Sequence, residues 1–212
     1  MTGATRPRRG GRPTLEEARK LDDDVREHAL ELFLERGYDG TSMEAIAGAA
    51  GTTKASLYTR FPGKDAVFRS VIAWAMQRTD WPLRDPPPPE LDDLEGALTA
   101  IATTSVRRAL DPSMIKLAQL AIAHESRFPE IAQRAYATGF WPRRQLVVEL
   151  LRRHAATGAI KADEPEILAE HFLGMVAGVP ARLASFGIVR EPAEQQRHTE
   201  VAVQLFLRSL RP

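Results

Sequence analysis

The sequence predicts an all-α protein of about nine helices, with an N-terminal three-helix head and a larger C-terminal helical domain. Three observations carry that reading. Apolar residues recur at helical spacing along most of the chain. Prolines 112, 129, 165 and 192 each stand where a helix would start, and their missing amide costs nothing there. Alternating apolar runs joined by hairpin turns are absent, and the lone Asp39-Gly40 pair precedes a helix cap rather than a strand.

Taken in order, the first helix is read over 22–36, where Val25, Ala29, Leu32 and Phe33 form a core-facing stripe and Gly37 caps the end. Thr41-Ser42-Met43-Glu44 reads as a capping box in which the Thr41 hydroxyl and Glu44 carboxylate satisfy free amides. Met43, Ile46, Ala47 and Ala50 then line a short second helix that stops at Gly51. A third short helix covers about 53–59 with Leu57 inward, and Phe61-Pro62-Gly63 breaks the chain. A fourth covers about 63–80, with Ala66, Val67, Ser70, Val71, Trp74 and Ala75 on one side. Asp85 and the four prolines after it are a stiff break and the expected domain boundary. Beyond it the pattern predicts helices over roughly 91–109, 112–125, 129–155, 165–186 and 192–209, with Pro142 and Pro180 kinking or breaking the two that contain them. The organisation expected is a flexible basic arm over 1–20, a head over 21–70 linked through the helix at about 63–80, and a helical domain over 85–212.

Composition narrows the function. The chain has 212 residues, 43% apolar and 27% charged, enough to bury a substantial core. It has no cysteine, which excludes disulfide scaffolds, thiolate zinc sites and cysteine nucleophiles and suits a reducing cytosol. The Arg-rich N-terminus has no apolar run after it, so no secretory signal is expected. The longest apolar run, Phe172 to Ala181, is too short for a bilayer, so no membrane association is expected and the location is read as cytoplasmic. No Gly-x-Ser-x-Gly elbow, phosphate loop or metal constellation is present, and His28, His124, His154, His171 and His198 lack two-histidine metal spacing; the chain is read as neither an enzyme nor a metalloprotein. Net charge is only +1, but its distribution is uneven. Residues 1–20 carry six Lys/Arg and two Asp/Glu, residues 21–50 two and eight, and residues 51–84 six and two. Two local basic segments of this kind suit a nucleic-acid footprint.

The informative stretch is 41–60: a short capped helix, a turn at Ala50-Gly51-Thr52 and a second short helix, which is helix-turn-helix geometry. The exposed side of the second helix offers Thr53, Lys54, Ser56, Tyr58, Thr59 and Arg60, groups that can reach base edges and phosphates without desolvating a negative charge. From spacing alone, an ordinary helical hairpin with a polar face remains the alternative.

Residues 37–47 together with 50–68, including Thr41, Ile46-Ala47, Gly51, Leu57-Tyr58, Phe61 and Lys64-Asp65, closely resemble the TetR family of bacterial transcription regulators. The resemblance covers roughly 22–70. Thr52, Ala55 and Arg60 depart from it, where members usually carry Val, Gly and His, so the operator sequence is not carried over. It implies a sequence-specific reader of double-stranded DNA in which Thr41 bonds a phosphate, Thr53, Lys54, Ser56 and Thr59 face the groove, Tyr58 leans on the backbone, and Lys64 clamps a phosphate. Leu57 and Phe61 are read as core. Arg6, Arg8, Arg9 and Arg12, set among Gly and Pro, could lie in a minor groove, with a solubilising tail as the alternative; Arg12 is the arm's nominated contact.

In the same family the C-terminal domain dimerises and holds a ligand. Residues 122–132 and 171–176 resemble its AefR-like subgroup. For the dimer interface the nominated residues are Phe172, Gly174, Gly178, Leu205 and Phe206, with packing inside one subunit as the alternative. For a pocket they are Trp74, Met114, Leu117, His124, Phe128, Phe140, Trp141 and Met175, a set that would favour an apolar or aromatic small-molecule effector and that could equally be core. No cofactor is expected. The resulting expectation is a ligand-responsive repressor that binds a palindromic operator as a homodimer. The competing class is a helical protein-interaction or small-molecule-binding module without sequence-specific DNA reading.

Overall fold

The computed structural model describes residues 15–77, 86–87, 89–135 and 141–211. The described residues form helices and connecting turns, with no strand among them. The chain divides into two compact units, Met1–Val71 and Ile72–Pro212.

The first unit holds α1 (Leu15–Arg36), α2 (Met43–Ala49), α3 (Lys54–Arg60) and the start of α4 (Lys64–Gln77). The expected stripe of α1 is inside: Val25, Ala29, Leu32 and Phe33 are buried. Around Phe33 the core is aromatic. The Tyr38 ring stacks at 6.1 Å and the Phe68 ring meets Phe33 edge-on at 5.0 Å, a geometry that ring quadrupoles favour. The inward side of α4 is Val67, Phe68, Val71, Ile72 and Ala75. Ala66, Ser70 and Trp74 are only half-buried, so the stripe is rotated by about one residue from the expected one.

In the second unit α5 (Leu94–Ala109) starts behind Asp93, whose carboxylate accepts from the Gly96 amide at 3.0 Å. Then follow α6 (Pro112–Ala123), α7 (Pro129–Ala135), α8 (Trp141–Ala156), α9 (Pro165–Leu173), α10 (Val179–Ser185) and α11 (Pro192–Ser209). The helix expected over 129–155 is described in two stretches, α7 and α8. Residues 136–140 between them, with Phe140, lie outside the described residues, as does Arg12.

Between α9 and α10 the chain makes a π turn over Gly174–Gly178 without leaving the helical path. Pro180 explains it. Proline has no amide to donate and its ring crowds the carbonyl four residues back, here Val176, so the backbone widens by one residue instead of breaking. The stretch Pro165–Ser185 has 21 residues, with a mean hydropathy of 1.3 over its best 18, enough by length and composition to cross a membrane. One face of it is spent otherwise. Ala169, Phe172, Leu173 and Val176 form one core with Leu98 and Ile101 of α5, Val147 and Leu151 of α8, and Val203 and Phe206 of α11.

Candidate nucleic-acid interface

The turn between α2 and α3 is built by glycine. Gly51 has φ +62°, the left-handed region that favours a residue without Cβ. Its amide reaches the Gly48 carbonyl at 3.2 Å, and the Thr52 amide reaches the Ala47 carbonyl at 2.9 Å. This pair of bonds is a Schellman closure, which ends α2 and turns the chain directly into α3. Ile46, Ala47 and Leu57 are buried beneath the turn, so the two short helices are held by a shared apolar floor.

The caps differ from expectation at one end. Thr53 caps α3, its oxygen accepting from the Ser56 amide at 3.1 Å. For α2 the cap is Ser42, whose Oγ accepts from the Ala45 amide at 3.1 Å. Thr41 was expected in that role, and the correction has a plain cause. Thr41 is 2% exposed, and its hydroxyl lies 2.8 Å from the Gly37 carbonyl and 3.2 Å from that of Leu32, donating back into the loop and α1. Its side chain is structural here and is not offered to a phosphate, whereas Ser42 is exposed at the helix entry.

Along α3, Thr53, Lys54, Tyr58 and Thr59 are exposed, Ser56 and Arg60 half-buried, and Leu57 fully buried. Tyr58 is 44% exposed, an aromatic ring left in water. The Lys54 ammonium sits 5.8 Å from its centroid and is also paired with the Glu44 carboxylate of α2. That pair holds the Glu44 carboxyl below the ordinary carboxylate value, mainly through the hydrogen bond from Lys54, and raises the Lys54 ammonium through the same bond. Thr59 donates to the Ala55 carbonyl at 2.9 Å, leaving its oxygen as an acceptor. Arg60 pairs with Asp22 of α1, anchoring the end of α3. Lys64 donates to the Tyr38 carbonyl at 2.8 Å and lies 4.2 Å over the Tyr38 ring, so its cation is half-buried against the head. Of the expected groove residues, Thr53, Lys54 and Thr59 are thus exposed and Ser56 is half-buried, with Tyr58 exposed beside them, while Thr41 and Lys64 are engaged inside the head.

Residues 96–211, more than half of the chain, match the family described as the AefR-like transcriptional repressor C-terminal domain. Residues 25–71 match the tetR family of bacterial regulatory proteins. The chain belongs to the TetR family. The flavonoid-responsive regulator FrrA is 30% identical with a TM-score of 0.74, over 91% of this chain and 98% of its own. A TetR-family transcriptional regulator from Mesorhizobium loti is 26% identical with a TM-score of 0.73, over 90% and 96%. Among curated proteins, the biofilm operon negative regulator IcaR of Staphylococcus epidermidis is 35% identical over 52 residues. That match spans 24% of this chain and 28% of IcaR.

In the C-terminal unit of this TetR-family chain the nominated interface residues separate into two sets. Phe172 and Phe206 are corrected: both are buried inside the unit, their ring centroids 4.8 Å apart, and offer no surface to a partner. Gly174, Gly178 and Leu205 are exposed. Beside them a groove is lined by Met175, Val179 and Pro180 on one side and by His198, Val201 and Leu205 of α11 on the other. Met175, Val179, Val201 and Leu205 are each between 40% and 53% exposed, an apolar strip that water covers poorly. The residues missed here, Val201 above all, lie on a second stripe of α11 turned away from the buried one of Thr199, Ala202, Val203 and Phe206. Two apolar stripes on one helix were the available signal.

Of the pocket nominees, Leu117 and Phe128 are fully buried, Met114, His124 and Trp74 half-buried, and Met175 lines the groove, apart from α6. The side chain of Trp141, like Phe140, lies outside the described residues.

Proposed function

We propose that this regulator binds a palindromic DNA operator as a homodimer, represses transcription there, and releases it when a small molecule occupies the C-terminal unit. The observation that carries the DNA reading is the exposed α3 face of Thr53, Lys54, Tyr58 and Thr59, held rigid by the Gly51 closure and the Leu57 floor. Donors and an aromatic ring on a short rigid helix can enter a major groove and meet both base edges and phosphates. A two-fold dimer presents two such helices to half-sites one helical turn or more apart. The apolar strip of Met175, Val179, Val201 and Leu205 supports self-association through the C-terminal unit. An effector must bind the two states of the dimer unequally to release DNA. Its apolar or aromatic character is supported by the residues nominated around α6 and by the likeness to FrrA, a flavonoid-responsive regulator. A cytoplasmic location follows from acting on chromosomal DNA.

The test is selection of random duplex DNA by the purified protein at about physiological salt. Enrichment of an inverted repeat supports the reading and supplies a probe for effector screening. A folded, dimeric protein that enriches no sequence overturns it, and the apolar groove then favours a protein-interaction module instead.

A further inference from the structure

Glu44 is the only acidic residue between Asp39 and Asp65, and it stands in the first turn of α2, exposed, against the face that carries Lys54 and Tyr58. A carboxylate on a surface meant to meet phosphates opposes binding to every sequence alike. Its position beside the first residue of α3 suggests why it is tolerated. It is ion-paired with Lys54 across the Gly51 turn, and the same ammonium sits near the Tyr58 ring. Neutralised and tethered, Lys54 is less available as a free cation for arbitrary phosphates.

We propose that Glu44 is a specificity-setting residue of the reading face: it restrains Lys54 and repels phosphate, so that only a sequence supplying compensating base contacts is bound well. This rests on the DNA reading above. A duplex that offers Glu44 a cytosine amino group, or Lys54 a guanine edge, compensates for opening the pair. An unrelated duplex offers only phosphates, to which Lys54 must first be released. The carboxyl is held below its ordinary range, so it stays ionised through neutral pH and the restraint is permanent rather than pH-gated.

The experiment measures affinity of the full chain and its Glu44→Gln variant for the selected duplex and for an unrelated duplex, across a salt series. Glu44→Gln is expected to raise affinity for the unrelated duplex by about two- to fivefold, the scale of an exposed ion pair. Its salt dependence should steepen by roughly 0.9 as Lys54 gains a phosphate. The selected duplex should gain less or lose affinity, so the specificity ratio falls. In a Lys54→Met background the same change should alter the slope little. Equal gains on both duplexes, or no gain on either, overturn the role of Glu44 while leaving DNA reading intact. If the wild-type chain itself prefers no sequence, both the reading and this inference fall. A melting change in Glu44→Gln no larger than an exposed ion pair accounts for excludes an indirect effect through folding.

Discussion

The exposed face of α3 and the exposed strip along α10 and α11 are both helical surfaces, yet water holds them very differently. On α3 the groups in solvent are hydroxyls, an ammonium and one phenol ring, nearly all of them well hydrated. On the strip, Met175, Val179, Val201 and Leu205 leave aliphatic area in water beside the exposed His198 and the partly covered Arg190. The first surface can exchange hydration for phosphates and base edges; the second gains chiefly by excluding water. Surfaces so different suit unlike contacts: the first a polyanion, the second an apolar face.

That contrast can be broken in graded ways. The largest effect is expected from Phe172→Ala, which opens a cavity beside Phe206 and should cost about 3–5 kcal/mol in denaturant unfolding. If Phe172 acted at a subunit interface instead, the loss would vary with protein concentration. Leu205→Glu should leave helicity unchanged and weaken self-association by at least about 30-fold in sedimentation, because two-fold symmetry places the charge at the interface twice. Unaltered association would remove the strip from the interface. Thr41→Val is expected to cost about 1–3 kcal/mol of stability by leaving buried carbonyls without their donor, while the salt slope of DNA binding stays as it was. A flattened slope would restore Thr41 as a phosphate contact. Tyr58→Phe should lower DNA affinity by about 1 kcal/mol with no change in melting temperature.

The smallest effect is in pH. Glu44 is lowered and Lys54 raised by their pairing, both on an exposed surface. The lowered carboxyl contributes stability above its unfolded pKa and loses it as pH falls through the folded one. The raised ammonium contributes below its unfolded pKa and loses it as pH rises through the folded one. Stability of Glu44→Gln relative to wild type should therefore be flat across neutral pH and converge on wild type only in strong acid or strong base, measured by thermal melts.

Much of this was legible from residues alone, and the limits are instructive. The stripe of α1, the Gly51 stop, the inward Leu57 and the limits of α11 follow from local rules: 3.6-residue periodicity, positive φ at glycine and proline at the helix start. Capping was half legible. Thr41 and Ser42 are adjacent residues of similar chemistry, and only the packing of the 37–41 loop on α1 decides that Thr41 turns inward and Ser42 caps. Glu44 was read as a capping carboxylate, and its pairing with Lys54 was hidden because the partners are ten residues apart and meet only once the turn closes.

What the sequence determined by itself is the helical class, the helix-turn-helix segment and the polar character of α3, because those depend on neighbours within a turn or two. Tertiary structure alone decided which apolar residues become core and which become surface. Phe172 and Leu205 look alike in a hydropathy pattern. They diverge because α5, α8, α9 and α11 together enclose one face of each helix and leave the other to water. Burial is a property of that assembly, and no local periodicity names the stripe that stays outside.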